Sequence, residues 1–415
     1  MLSELRLESL PAGGRIDTEA DEELMRRVGR EAASAVLVKR WEEADQVTRT
    51  ECSDCGKEMS KLGLRSRDLQ TICGTIRIER KVFYCARCEK TEAPLDKRLN
   101  VDEGGMTSGI RRLLCRTALE IPYQQSENLL KDILGFRPCS ARQIERIVKE
   151  HGEHLERLQS EPKGKSQVSK QKEKSLYCLA IDAAMIPGLP DKLEHQIKWH
   201  DAKIATIYDP GEIREPIYIA GREDAQKFGL RLHNNLRKRH LDEGAIRSIL
   251  GDGAPWIWNI ADTYLPGVAQ LLDFYHASEH LYATAKAIWT DKTAHHWWQR
   301  RLQQLKEGKI DNFFEALKRL TRTHNTDDAN ISPKRLLQYF EENRSRLIYR
   351  WAIDHNLPIG SGAVESAARH IVQQRLKLSG MRWSDSGAQA ILNLRTLHRN
   401  GDFEQYWEDY AKNAA

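Results

Sequence analysis

The sequence predicts an α/β protein: a mixed core of strands and helices interrupted by a long all-helical insertion, with two smaller elements ahead of it. Three observations predict this. After residue 175 the chain alternates strand-like runs ("LYCLAIDAAMI", "KIATIYD", "EPIYIAG", "AIRSILGD", "VAQLLDFY") with helical stretches over 224–241 and "PWIWNIADTYL". Three strands, a helix, a strand, a helix and a strand make a layered α/β pattern. Residues 277–352 then read as helix throughout, and another helix begins near Gly362. Ahead of the core, two Cys-x-x-Cys pairs flank a segment of period-two alternation, "GTIRIERKVFY", the pattern of a β-hairpin.

The elements divide the chain as follows. Residues 1–48 form an N-terminal helical segment, with a helix over 18–45 that Thr18 can cap and whose first turn is acidic, where the helix dipole favours negative charge. Residues 49–100 hold the cysteine ribbon. Residues 101–160 hold the helix-turn-helix region; helical spacing returns over 107–158, with two helices joined by "FRPC", the second capped by Ser140. Residues 161–175, rich in Lys and Ser, read as a linker. The core spans 176–276 and 356–400, the helical insertion 277–355, and 401–415 is a C-terminal tail.

Composition narrows the class. The chain of 415 residues is 40% hydrophobic and 30% charged, with a net charge of +5; it can build real cores, and a mildly basic surface permits a nucleic-acid partner. No apolar run approaches the roughly 18 residues that span a bilayer. The start, "MLSELRLESLPAGG", lacks the basic-then-apolar order of a signal peptide. A cytoplasmic protein without a membrane partner is expected, its thiols reduced.

In that setting Cys52, Cys55, Cys85 and Cys88 read as the four thiolates of a structural Zn2+ site. Gly56 suits the turn after the first knuckle, and Glu89 takes the equivalent place in the second. Arg65, Arg67, Arg77, Arg80 and Lys81, between the knuckles, either meet phosphates or line a solvated strand face. Cys73, Cys115, Cys139 and Cys178 read as structural. The helix pair over 123–151 fits a helix-turn-helix that presents Arg142, Gln143 and Arg146 to DNA, or an ordinary helical hairpin.

Three carboxylates stand out. Asp182 sits inside an apolar strand run, a costly position unless paired or bound to a metal. Asp252 ends the fourth strand in "GDGAPWIWN", and Glu365 lies one turn into a helix in "GSGAVESAARH". Gathered in one pocket, they would bind two Mg2+ or Mn2+ ions roughly 4 Å apart, suited to in-line attack at phosphorus. Singly, Asp182 pairs with a buried base, Asp252 is a turn residue ahead of Pro255, and Glu365 pairs with Arg369. The glycines flanking Asp252 would admit metal and phosphate, and Trp256 and Trp258 anchor the helix that follows.

The segments "AIDAAMI", "GDGAPWIWN", "LDFYHASEHL" and "IGSGAVESAARHIVQQRLKLSGMRW" occur in the order found in bacterial insertion-sequence DDE transposases of the mutator-like superfamily, which the chain resembles over most of residues 50–400. The third segment carries that superfamily's marker, an Asp separated from a His by two residues, here Asp273 and His276. The resemblance implies an RNase H-like catalytic core with a long all-helical insertion, preceded by a zinc ribbon and a helix-turn-helix region. It implies Asp182, Asp252 and Glu365 as the metal-binding triad, with Asp273 and His276 in support. It also implies nicking at element ends, joining of the 3′ hydroxyls to target DNA, partnership with terminal inverted repeats and target DNA, and work as a homo-oligomer, dimeric or higher, associated with the nucleoid. Arg369, Arg375, Lys377 and Arg382 would hold the DNA backbone, and Trp297 or Trp298 would stack on an unpaired base or pack in the core.

Three rivals stand at this stage. One is a non-catalytic DNA-binding protein that kept the scaffold, against which the intact triad argues. The triad serves a nuclease without strand transfer equally well. The stretch His276-Ala-Ser-Glu279-His280 matches the H-x-x-E-H pattern of a zinc metallopeptidase, with both histidines as ligands and Glu279 as base.

Overall fold

The computed structural model describes residues 17–101, 103–160, 177–190, 196–241, 245–324 and 331–412. The expected linker, 161–175, lies outside them. The chain divides into two compact units, Met1–Val148 with Asp402–Ala415, and Lys149–Gly401.

In the first unit α1 (Thr18–Ala44) is capped by Asp17 instead of Thr18, through Ala20 N–H donating to Asp17 Oδ1 at 3.1 Å. The hairpin β1 (Ser60–Thr71) and β2 (Gly74–Cys85) turns tightly at Gly74, whose φ of 119° suits glycine, and β3 (Lys90–Glu92) adds to β2. Leu69, Ile76 and Ile78 bury one face of the hairpin with Leu95 of α2 (Pro94–Arg98). Helices α3 (Ser108–Ala118), α4 (Tyr123–Leu134) and α5 (Ala141–Ser160) follow. Gly135 ends α4 at φ 70°, in the left-handed conformation of a C-terminal cap. Within the segment expected as a C-terminal tail, residues 403–412 are helical. Phe403, Tyr406 and Trp407 recur at helical spacing and are buried, so the segment folds as a helix (Phe403–Lys412) against α3, and Arg112 pairs with Glu404.

The second unit is built on a five-stranded sheet: β4 (Tyr177–Pro190), β5 (Ile197–Asp209), β6 (Glu212–Gly221), β7 (Ile246–Gly251) and β8 (Ala269–Leu272), in the order β6-β5-β4-β7-β8. The first three form an antiparallel meander, while β7 and β8 run parallel to β4 through crossovers α6 (Ala225–Lys238) and α7 (Pro255–Tyr264). Covered strands must be apolar on both faces, which is why β4 and β5 read as near-continuous hydrophobic runs. The strand expected over "VAQLLDFY" stops at Leu272. Asp273 caps a helix by accepting from His276 N–H at 2.8 Å, so Phe274 and Tyr275 open α8 (Phe274–Ile288). The insertion therefore begins three residues before 277.

It continues as α9 (Asp291–Lys306), α10 (Ile310–Thr323), α11 (Pro333–Glu342), a 3-10 turn (Arg344–Arg346) and α12 (Tyr349–Asp354). Leu281, Leu305, Phe313, Phe314, Phe340 and Tyr349 of these helices share one buried cluster with Leu179, Ile181 and Ile249 of the sheet. The insertion is thus packed as part of the same core. The chain returns through α13 (Gly362–Ala367), a wider π-helical stretch (Ala368–Gln373), α14 (Gln374–Leu376) and α15 (Asp385–Arg399). The π turn interrupts the single helix that the sequence suggested. Buried Arg395 donates to the His370 and Ile371 carbonyls within it, the latter at 2.9 Å, satisfying acceptors that the wider turn leaves.

Candidate active site

Strand register brings three aspartates level. Ala180 of β4 lies opposite Leu250 of β7, and Gly251 of β7 opposite Leu272 of β8. Continued by two residues and by one, these pairings set Asp182, Asp252 and Asp273 side by side where β7 and β8 end. Adjacent strands lie about 4.8 Å apart. By the period of two, all three fall on the face opposite Leu179, Ile181 and Ile249, which belong to the buried cluster.

Asp182 is mostly buried, and Ala183 N–H donates to its Oδ1 at 2.7 Å. Burial pushes its carboxyl up to about 6; that hydrogen bond and His276 pull the other way, while Asp252 and Asp273 add repulsion. Asp252 does what a turn residue does, accepting from Ala254 N–H at 2.9 Å ahead of Pro255. Its own carbonyl accepts from Tyr339 Oη at 2.8 Å. Asp273 is fully buried, and its N–H donates to Gly251 O at 2.8 Å. Burial alone would raise its carboxyl; interactions with His276 and Ser361 outweigh this and hold it below the usual range. His276 Nδ1 stands 3.5 Å from Asp273 Oδ1. Asp273, opposed by burial and helped by Asp182 and Asp252, lifts the imidazole to about 9, so it is cationic at neutral pH.

Glu365 is exposed on α13, which packs on β4 and β5. Its partner is Ser361, whose Oγ donates to Oε1 at 3.2 Å, and not Arg369. Ser361 also interacts with Asp273, and Phe274 N–H donates to Ile359 O at 2.9 Å, so the approach to α13 is joined to the start of α8. Ser361 and Tyr339 are site neighbours that the sequence reading missed. "GSG" ahead of a helix was the available signal for Ser361; nothing in the insertion marks Tyr339.

The glycines around Asp252 answer to packing more than to a ligand. A Cβ on Gly251 would meet Ile257 Cγ2 at 2.9 Å, and Gly253 has φ 104° with Tyr339 Cε2 at 2.9 Å from its would-be Cβ. Trp258 is buried under α7 with the Arg346 guanidinium over its ring at 4.4 Å, and Trp256 packs on Phe228.

Among the described residues, the group of three or more Cys, His, Asp or Glu gathered closely enough to enclose a metal ion is Cys52, Cys55, Cys85 and Cys88, whose ligand atoms lie within 4.8 Å of one another. Soft thiolates in such a set can bind a structural metal such as zinc. Gly56 and Glu89 occupy equivalent left-handed positions after the two knuckles, at φ 68° and 52°. A hydrogen bond with Cys55, then desolvation and hydrogen bonds with Cys52 and Cys85, push the Cys88 thiol up to about 12. Neither Asp182, Asp252 and Glu365 nor His276, Glu279 and His280 form so tight a group. His280 instead lies against the Tyr339 ring, at 4.5 Å between centroids.

The basic residues divide. Arg67 and Arg80 both bind Asp96, and Lys81 donates to the Asp45 carbonyl, so these three brace the ribbon; Arg77 pairs with Asp68 at the surface, and Arg65 is exposed. Arg142 and Arg146 are exposed on α5, whereas Gln143 closes a capping box with Ser140, which donates to its Oε1 through N–H at 2.9 Å. Arg369, Lys377 and Arg382 are exposed. Arg375 is fully buried beside Met381 and stacks on Trp383 at 4.9 Å, so it cannot meet DNA. Trp298 donates to Ser278 Oγ at 2.9 Å and Trp297 lies under Arg301; both pack on the core.

Fold and site define a mixed α/β protein with a row of level aspartates and a four-cysteine centre. The chain belongs to the Uncharacterised protein family (UPF0236), whose model matches residues 16–409. It is 25% identical over 437 residues to the UPF0236 protein in the vanSb 3′ region of Streptococcus gallolyticus, covering 98% of this chain and 85% of that one. It also bears a distant structural likeness to the Drosophila P element transposase strand transfer complex, at TM-score 0.27 and 11% identity over 76% of this chain and 84% of that one. No described helix is long and apolar enough to cross a membrane.

Proposed function

We propose that this chain is a DDE-type DNA transposase with an RNase H-like core, in which Asp182, Asp252 and Glu365 hold divalent cations. The observation that carries the reading is the level placement of Asp182 on β4 and Asp252 just past the end of the adjacent parallel strand β7, with Glu365 on a helix packed against β4 and β5. The strand order, an antiparallel meander extended by two parallel strands, supports the RNase H-like assignment. The donor set fits Mg2+ or Mn2+, since hard carboxylate oxygens suit these ions. A buried carboxyl raised to about 6 beside a second aspartate also favours a cation that would ionise it.

Bound at these carboxylates, two cations would supply charge neutralisation and an activated hydroxyl for attack at phosphorus. Asp182 would hold its ion in a partly dry setting, where electrostatic attraction is strong. Asp252 would offer carboxylate oxygen from a turn braced by Ala254 and Tyr339. His276, held against Asp273, would orient a non-bridging phosphate oxygen. The thiolates would hold a structural Zn2+, and Arg142, Arg146, Arg369, Lys377 and Arg382 the DNA backbone.

The test is an in vitro reaction on DNA carrying the element's own ends. Wild type with Mg2+ should nick those ends and join their 3′ hydroxyls to target DNA, whereas Asp182→Asn, Asp252→Asn and Glu365→Gln should bind without cutting. Normal cleavage by these variants overturns the assignment, and cutting without joining leaves a nuclease.

A further inference from the structure

The polar face that leaves Glu365 ends at an exposed tryptophan. Of ten tryptophans in the chain, Trp199 is the exposed one, at 54%. It lies on β5 opposite Pro187, five residues along β4 from Asp182. Lys377 Nζ stands over its ring at 5.7 Å from the centroid. This end of the hairpin is held in place: Trp383 N–H donates to Pro187 O, and Leu189 N–H to Trp383 O, each at 3.1 Å. Between Glu365 and Lys377, Arg369 and Gln373 are also exposed, so an open polar and basic stripe links the acid to the indole. At about 1.5 Å of rise per residue, the stripe runs roughly 18 Å. A strand within a duplex advances ~3.4 Å per nucleotide, so the stripe spans at most about five nucleotides of a more extended single strand.

We propose that Trp199 is a base-stacking platform for single-stranded DNA, with Lys377 pairing to the adjacent phosphate, within about five nucleotides of the carboxylate site. An exposed aromatic bearing a cation suits an unpaired base with its negative backbone, and neither a blunt duplex nor an apolar protein surface needs both. The role that the sequence offered to Trp297 and Trp298 falls here, because those two are engaged by Ser278 and Arg301. The inference rests on the transposase reading for the identity of the strand.

Fluorescence anisotropy with a labelled duplex carrying a single-stranded tail, and with the same duplex blunt, tests it without divalent ions. The full-length wild type should prefer the tailed DNA. Trp199→Ala should weaken tailed-DNA binding by about 5- to 150-fold, the range for one stacked base, and leave blunt-duplex binding unchanged. Trp199→Phe should retain most of the preference, and Lys377→Ala should flatten the salt dependence of tailed-DNA binding. Equal binding of tailed DNA by wild type and Trp199→Ala overturns the inference. So does a Trp199→Ala protein whose oligomeric state changes while its tailed-DNA affinity does not, which would make the indole a protein contact. Failure of the transposase reading shows separately: Asp182→Asn would then cut normally while Trp199 still governs tail binding.

Discussion

Replacing Asp182 by Asn should make the metal-free protein more stable, by an amount that depends on pH. In the folded state the carboxyl titrates near 6, against a usual 3.8, chiefly because it is buried. Binding its proton more tightly when folded, Asp182 contributes stability that is fully present below about pH 4 and lost as pH rises through about 6. Moving from 3.8 to about 6 corresponds to about 3 kcal/mol at ~1.36 kcal/mol per pH unit. Partial solvent access lowers the expected cost to roughly 1–3 kcal/mol at pH 8. Asn keeps an acceptor for Ala183 N–H and carries no charge, so the variant avoids that cost. Thermal unfolding followed by circular dichroism, in buffer free of divalent ions but without chelator, should show the variant melting several degrees higher at pH 8, at roughly 2–4 °C per kcal/mol. The gap should close near pH 4. Added Mg2+ should stabilise wild type and not the variant. A variant no more stable than wild type at pH 8, or equally favoured at both pH values, refutes the reasoning that Asp182 is a buried acid awaiting a cation.

Three further outcomes are expected. Cys88→Ser should lose bound zinc, read by elemental analysis of the purified protein, and lower the melting point of the unit that carries the ribbon; a full equivalent of zinc in the variant would dismiss the four-thiolate site. Gly253→Ala forces a side chain into φ 104° and to 2.9 Å from Tyr339, and should destabilise by about 1–3 kcal/mol in chemical denaturation; no loss would show that the turn relaxes freely. Arg369→Ala should reduce the salt slope of DNA binding by about one, while Arg375→Met should cost stability and leave the slope alone; a changed slope for Arg375→Met would contradict its burial.

Local patterns carried much of the architecture. Cys-x-x-Cys spacing and the alternation between the pairs are properties of short segments, and hairpin geometry alone brings such knuckles together. The same holds for the strand and helix order after residue 177, where each element announces itself by its own period. What failed to read locally failed for identifiable reasons. Phe274 and Tyr275 look like strand residues until Asp273 is seen to cap a helix. Arg375 looks like its neighbours Arg369 and Lys377 until it is found on the buried face of the helix with Ile371 and Val372. Arg67, Arg80 and Lys81 of the ribbon look free until Asp96 and Asp45 are found beside them.

By itself, then, the sequence determined the elements, their order, the four-cysteine group and the acidic residues worth watching, because those depend on side-chain type and short-range spacing. Only the tertiary structure decided which acids are neighbours. Strand register sets Asp182, Asp252 and Asp273 level, and register is fixed by pairing between segments far apart in the chain. It also decided which basic residues face solvent and that Trp199 alone of the tryptophans stands exposed. Burial belongs to the packed whole, and no window of sequence contains it.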